Sequence, residues 1–99
     1  METNIQFVKL PTSNYLENFV QKKLGKLSNR YDWVMRADVF FKQQKDPKGK
    51  GKICEIHLRL PGPEIVASSN EESFEAATDE TIRDLIKQLK RRKSEIKPY

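Results

Sequence analysis

VMRADVFFK, Val34 to Lys42, alternates without a break. Met35, Ala37, Val39 and Phe41 point one way, and Arg36, Asp38, Phe40 and Lys42 point the other. A strand has a side-chain period of two, so this stretch is predicted to be a strand with one face buried. Ile53 to Leu60 repeats the pattern, with Cys54, Ile56, Leu58 and Leu60 inward and Glu55, His57 and Arg59 outward. Between the two lies KQQKDPKGKGK, Lys42 to Lys52, where Pro47 and two glycines sit among five lysines. Such a segment holds regular structure poorly and reads as a mobile hairpin loop.

On the N-terminal side, Ile5 to Leu10 reads as a short strand, and Pro11 to Asn14 supplies a turn with several helix-capping candidates. Leu16, Phe19, Val20, Leu24 and Leu27 then recur at 3.6-residue spacing, which predicts a helix from Ser13 to about Asn29. On the C-terminal side, Pro61-Gly62-Pro63-Glu64 turns the chain and Ile65 to Ser68 returns as a fourth strand. Ser69 or Asn70 is expected to cap a long final helix with an apolar stripe of Phe74, Thr78, Ile82, Leu85, Leu89 and Ile96. The order is β-α-β-β-β-α. Two helices cover only one face of a four-stranded sheet, so the expected fold class is α+β, a two-layer sandwich with a mixed sheet. If the first two strands are neighbours, the helix between them makes them parallel. No repeat or linker interrupts the chain, and residues 1–99 are read as one domain.

Composition narrows the function. Hydrophobic residues make up 36% and charged residues 33%, the balance of a soluble globular chain. No apolar run approaches the roughly 20 residues that span a bilayer, and METNIQFVKLP lacks the basic and apolar blocks of a signal peptide. A cytoplasmic location is expected, which the single cysteine fits. Enzyme chemistry is not expected: the one His and the one Cys fall on opposite faces of one strand and cannot pair. No metal-ligand cluster and no glycine-rich phosphate loop is present. The reading assigns no cofactor, no small-molecule substrate and no membrane partner.

The net charge of +5 is unevenly placed. Residues 1–82 carry twelve basic and twelve acidic side chains, whereas residues 83–99 carry seven against two. The whole excess therefore sits at the C-terminal end, where it favours a polyanion. At about 100° per residue, Arg83, Lys87, Lys90 and Arg91 fall together opposite the apolar stripe, with Lys93 in the same basic run. The helix macrodipole also accounts for acidic first turns and basic last ones. It does not require five of the seven residues from Lys87 to Lys93 to be basic. On the first helix, Lys23 falls inside the apolar arc with Lys22 and Lys26 beside it, either snorkelling from the core edge or meeting an anion. Two such rows on one face of the sheet would flank a shared groove, with Lys45, Lys48, Lys50 and Lys52 of the loop adding reach. RNA is favoured over a membrane because the final helix has little bulky apolar surface to insert.

Asn4-Ile5, FVQKKLGKL (Phe19–Leu27) and FEAATDETIRDLIKQLKRRK (Phe74–Lys93) together resemble the ribosome hibernation promoting factors, the family that includes the ribosome-associated translation inhibitor. The family pattern of an aromatic, Ala-Ala-x-Asp, then a basic residue before Gln-Leu is met by Phe74, Ala76, Ala77, Asp79, Lys87, Gln88 and Leu89. The resemblance implies a protein that occupies the mRNA and A/P-site tRNA channel of the small ribosomal subunit. There it holds ribosomes inactive and protected under stress or in stationary phase. Lys23, Lys26, Lys87, Arg91 and Lys93 would contact rRNA phosphates, which positions a protein without reading sequence. Relatives often carry lysine where this chain has Asp84, which displaces one expected contact. The chain ends at Tyr99 without the second domain of the long members, so it is expected to be a short form whose ribosomes pair through a separate dimerising factor or not at all. Two other readings stay open. One is a protein-binding modulator of a transcription factor. The other is a double-stranded-RNA-binding domain, against which the acidic helix start NEESFE argues.

Overall fold

The computed structural model describes residues 1–95. Its elements are β1 (Glu2–Phe7), α1 (Asn14–Arg30), β2 (Arg36–Gln43), β3 (Lys52–Arg59), β4 (Ile65–Glu71) and α2 (Phe74–Glu95). They form one four-stranded mixed sheet in the order β1-β2-β3-β4, the α+β arrangement expected from the alternation. β1 runs parallel to β2, with Ile5 beside Val39 and Phe7 beside Phe41, and the remaining pairs are antiparallel. The β2–β3 register sets Val39 opposite Ile56 and Phe41 opposite Cys54, so the two alternating patterns bury the same face.

That face meets both helices. Val20, Leu24 and Leu27 of α1 and Ala77, Leu85 and Leu89 of α2 close over Ala37, Val39, Phe41, Cys54, Ile56 and Leu58, all nearly inaccessible to solvent. Three rings tie the layers: Phe7 stacks on Phe41 with centroids 5.2 Å apart, and Phe74 meets Phe41 edge-on at 5.6 Å. Aromatic pairs of this geometry are worth about 0.5–1.5 kcal/mol beyond their buried area. The hydroxyl of Thr81, a buried position outside the predicted stripe, donates to the Cys54 carbonyl at 2.9 Å and fastens α2 to β3.

Several boundaries differ from expectation. β1 begins three residues early and ends at Phe7, because Glu2 to Asn4 pair with Arg36 to Asp38 and Lys9 adopts a left-handed backbone (φ 57). Pairing outweighs the weak strand preference of that stretch. Met35 is 53% exposed at the edge of the sheet, and the corner residues Tyr31 and Val34 fill the core at that end instead. β4 continues to Glu71, so neither Ser69 nor Asn70 caps α2. The cap is Ser73, whose hydroxyl accepts from the Ala76 amide at 3.1 Å, while Asn70 turns to the hairpin and accepts from the Gly51 amide at 2.6 Å. Ile96, the last expected stripe position, lies outside the described residues.

Candidate nucleic-acid interface

The second layer presents the cations. α1 and α2 lie side by side on the same face of the sheet, with α2 over β3 and β4. Six of the eight predicted contact residues, Lys22, Lys26, Lys87, Lys90, Arg91 and Lys93, are exposed and have no carboxylate partner among the described residues. The other two are engaged. Arg83 donates to Glu80 at 2.7 Å, and its guanidinium holds that carboxyl below the usual carboxylate range. Lys23 reaches across to α2, where its ammonium sits 2.7 Å from Asp79, and it lies 5.0 Å from the centre of the Phe19 ring. A lysine at the core edge needs an anion, and this one finds its own on the neighbouring helix. Asp84 is exposed, and the one contact it makes among the described residues is a long 3.4 Å hydrogen bond from Gln88.

Between the helices runs a groove of about 310 Å³ lined by Lys23, Lys26, Leu27, Arg30, Ile82 and Ile86. The expected groove is therefore present, but its walls are unequal. The α1 wall is cationic and the α2 wall is apolar, with Lys90 and Lys93 following Ile86 at helical spacings of four and seven. Arg30 and Ile86 were not among the expected contact residues. Ile86 keeps helical spacing with Leu85 and Leu89 and reads as part of the packed face, and the structure leaves it half-buried at the groove. Arg30 lies just past the expected helix end, on the α2 side of the apolar arc.

The hairpin lysines lie elsewhere. β4 ends at Glu71, paired with Lys52 at the hairpin, and α2 starts there and runs away from it for 22 residues. At 1.5 Å per residue that carries the Lys87–Lys93 segment to the far end of the sheet. Lys42 and Lys50 are also partnered, by Glu55 at 3.1 Å and Glu71 at 3.8 Å. The loop is therefore not part of the helical patch.

The remaining titratable groups are structural. Burial pushes the Cys54 thiol up to about 11, against a smaller opposing effect of the neighbouring Thr78 and Thr81 hydroxyls, which keeps it protonated. His57 stands on the uncovered sheet face between Glu55 at 2.6 Å and Glu64 at 3.2 Å. No group of three or more metal-ligating side chains occurs among the described residues, and no helix there is long and apolar enough to cross a membrane.

The profile of the sigma 54 modulation protein / S30EA ribosomal protein family matches residues 3–97. The chain is similar to the ribosome hibernation promoting factor of Pseudomonas putida, with 30% identity over 93 residues covering 94% of this chain and 87% of that one. It is also similar to the factor of the same name from Salmonella typhimurium, with 29% identity over the full length of both. Among solved structures, a ribosomal subunit interface protein from Coxiella burnetii superposes with a TM-score of 0.82 at 23% identity, covering 95% of this chain and 99% of that one. The N-terminal domain of Thermus thermophilus Protein Y gives 0.76 at 26% identity, covering 92% and 98%. By the extent of the profile match and the likeness of its relatives, the chain belongs to the sigma 54 modulation protein / S30EA ribosomal protein family, that of the ribosome hibernation promoting factors.

Proposed function

We propose that this protein binds the small ribosomal subunit as one unit, in the channel used by mRNA and the A- and P-site tRNAs, and silences the ribosome by occupying it. The observation that carries this reading is the set of six exposed cations on the two helices of a hibernation-factor fold, none with a carboxylate partner among the described residues. Lys22, Lys26, Lys87, Lys90, Arg91 and Lys93 contact rRNA phosphates, while Lys23 and Arg83 act mainly through their own carboxylates. No bond is made or broken. Competition for space is the whole mechanism, and it operates in the cytoplasm on stressed or stationary-phase ribosomes. A separate dimerising factor would pair such ribosomes, or they would stay unpaired.

Six phosphate contacts predict a steep salt dependence, about 10³-fold in affinity between 50 and 200 mM salt. The test is co-sedimentation with vacant ribosomes, with and without prebound mRNA and initiator tRNA. Binding lost when the channel is filled supports occlusion. Equal binding in both samples places the contact elsewhere and sinks the proposal. Binding from extracts that survives nuclease treatment would instead favour an acidic protein partner.

A further inference from the structure

The interhelix groove contains something that phosphate contacts do not require. Ile86 is half-buried on its α2 wall, with the buried Leu27 and Ile82 beneath, in the middle of an otherwise cationic surface. A surface built only to meet phosphates would place polar or basic side chains there. At one end of the groove the Lys23–Asp79 ion pair bridges the two helices at 2.7 Å. Lys26 and Arg30 form the α1 rim, and both are exposed.

We infer that this groove receives one unstacked base of single-stranded RNA, seated on Ile86 above the buried Leu27 and Ile82, with its flanking phosphates on Lys26 and Arg30. Size and charge select that occupant. The volume of about 310 Å³ lies at the small end of ligand sites, in the class of a single nucleotide. The apolar floor of α2 extends only from Ile82 to Ile86, about 6 Å along the helix. A bound peptide helix needs anchors across two turns or more, which that floor cannot supply. A base offers a flat apolar face with an anion on either side, which matches an apolar floor under a basic rim. Arg30, whose guanidinium lies 5.4 Å from the centre of the Tyr31 ring, adds a plane able to stack on a base face. The inference rests on the channel reading for its rRNA but makes a separate prediction about bases.

The experiment compares binding of octauridylate with that of an abasic octamer of equal length and charge, at one fixed salt concentration. Base stacking on aromatic side chains is worth about five- to 150-fold in affinity, and an aliphatic seat belongs at the low end of that range. The wild-type protein should therefore prefer octauridylate about fivefold. Ile86→Gln, which removes the apolar seat and leaves every charge in place, should reduce that ratio to about one without changing affinity for the abasic octamer. Ile86→Ala, a smaller change at the same half-buried helical position, should lower the ratio partway and guards against misfolding of the polar substitution. A wild-type ratio near one, or a ratio that persists in Ile86→Gln, overturns the inference. Running the same proteins in the channel competition separates the two ideas. A base-dependent ratio with channel-independent ribosome binding leaves the groove standing and removes the channel. Channel-dependent binding with a ratio of one does the reverse.

Discussion

Lys23 and Asp79 neutralise one another across the two helices, and their side chains are each a little over one-third exposed. An ion pair at that exposure contributes on the order of 0.2–1 kcal/mol, so its larger effect is on the field rather than on stability. Asp79→Asn removes a negative charge from the binding face and releases the Lys23 ammonium. We expect tighter ribosome binding and a salt dependence steeper by up to about one phosphate equivalent. Lys23→Met, which leaves Asp79 bare, should weaken binding, and the two changes combined should fall between. Unchanged salt dependence in Asp79→Asn would show that Lys23 meets no phosphate even when free. His57 gives a second test on the opposite face. The hydrogen bond that the ring donates to Glu55 favours its charged form and raises it above its ordinary value of 6.5, against the opposing effect of burial, and a weaker hydrogen bond to Glu64 adds to the rise. Its contribution to stability is therefore fully present below about pH 6.5 and is lost as pH rises through the higher native value. Denaturant titrations of wild type and His57→Gln should diverge on the acid side of that window and converge above it.

The start of α2 shows how a helix boundary depends on its neighbours. Ser69, Asn70 and Ser73 are all competent caps, and the one used is the one left over when β4 has finished pairing with β3. Ser73→Ala should cost about 1 kcal/mol, the usual worth of a capping hydroxyl, read as a shift in the urea midpoint. Asn70→Ala should act differently, because Asn70 serves the Gly51 amide at the base of the hairpin. Its effect should appear as faster amide exchange around Gly51, with exchange in the first turn of α2 unchanged. Equal loss of protection in that first turn would return the capping role to Asn70. The rest of α2 was readable from periodicity, since Thr78, Ile82, Leu85 and Leu89 are buried as their spacing required. Thr81 was not, because a threonine's place inside a stripe depends on finding a carbonyl across the layer.

The molecule extends about 50 Å along its longest axis. Its sheet direction sets the hairpin lysines at one end and the basic end of α2 at the other. The acidic first turns of α2 lie between them. Binding through the helical end should thus depend on Lys87 and Arg91 and only weakly on the loop. Lys87→Glu with Arg91→Glu should abolish ribosome co-sedimentation while leaving thermal unfolding close to wild type, since both side chains are exposed and without carboxylate partners among the described residues. Reversing two of these six cations lowers the charge of the face by four. Normal binding by that variant would reduce the helix to a solvated face.

The alternation of Ala37, Val39 and Phe41 with that of Cys54, Ile56 and Leu58 was enough to specify the sheet, and Leu16 to Leu27 was enough for the first helix. Burial has a period, and a period is local. The location of the net charge was equally plain, because charge needs no partner to be counted. Which cations remain available was not legible. Lys23 and Arg83 looked like Lys22 and Lys87 along the chain, and only the packing of α2 beside α1 brought Asp79 to Lys23. Arg30, Ile86 and the distant placement of the hairpin lysines belong to the same class. Each depends on which distant segments the fold brings into contact, and coulombic and apolar contacts act across a few ångströms of space rather than along the chain.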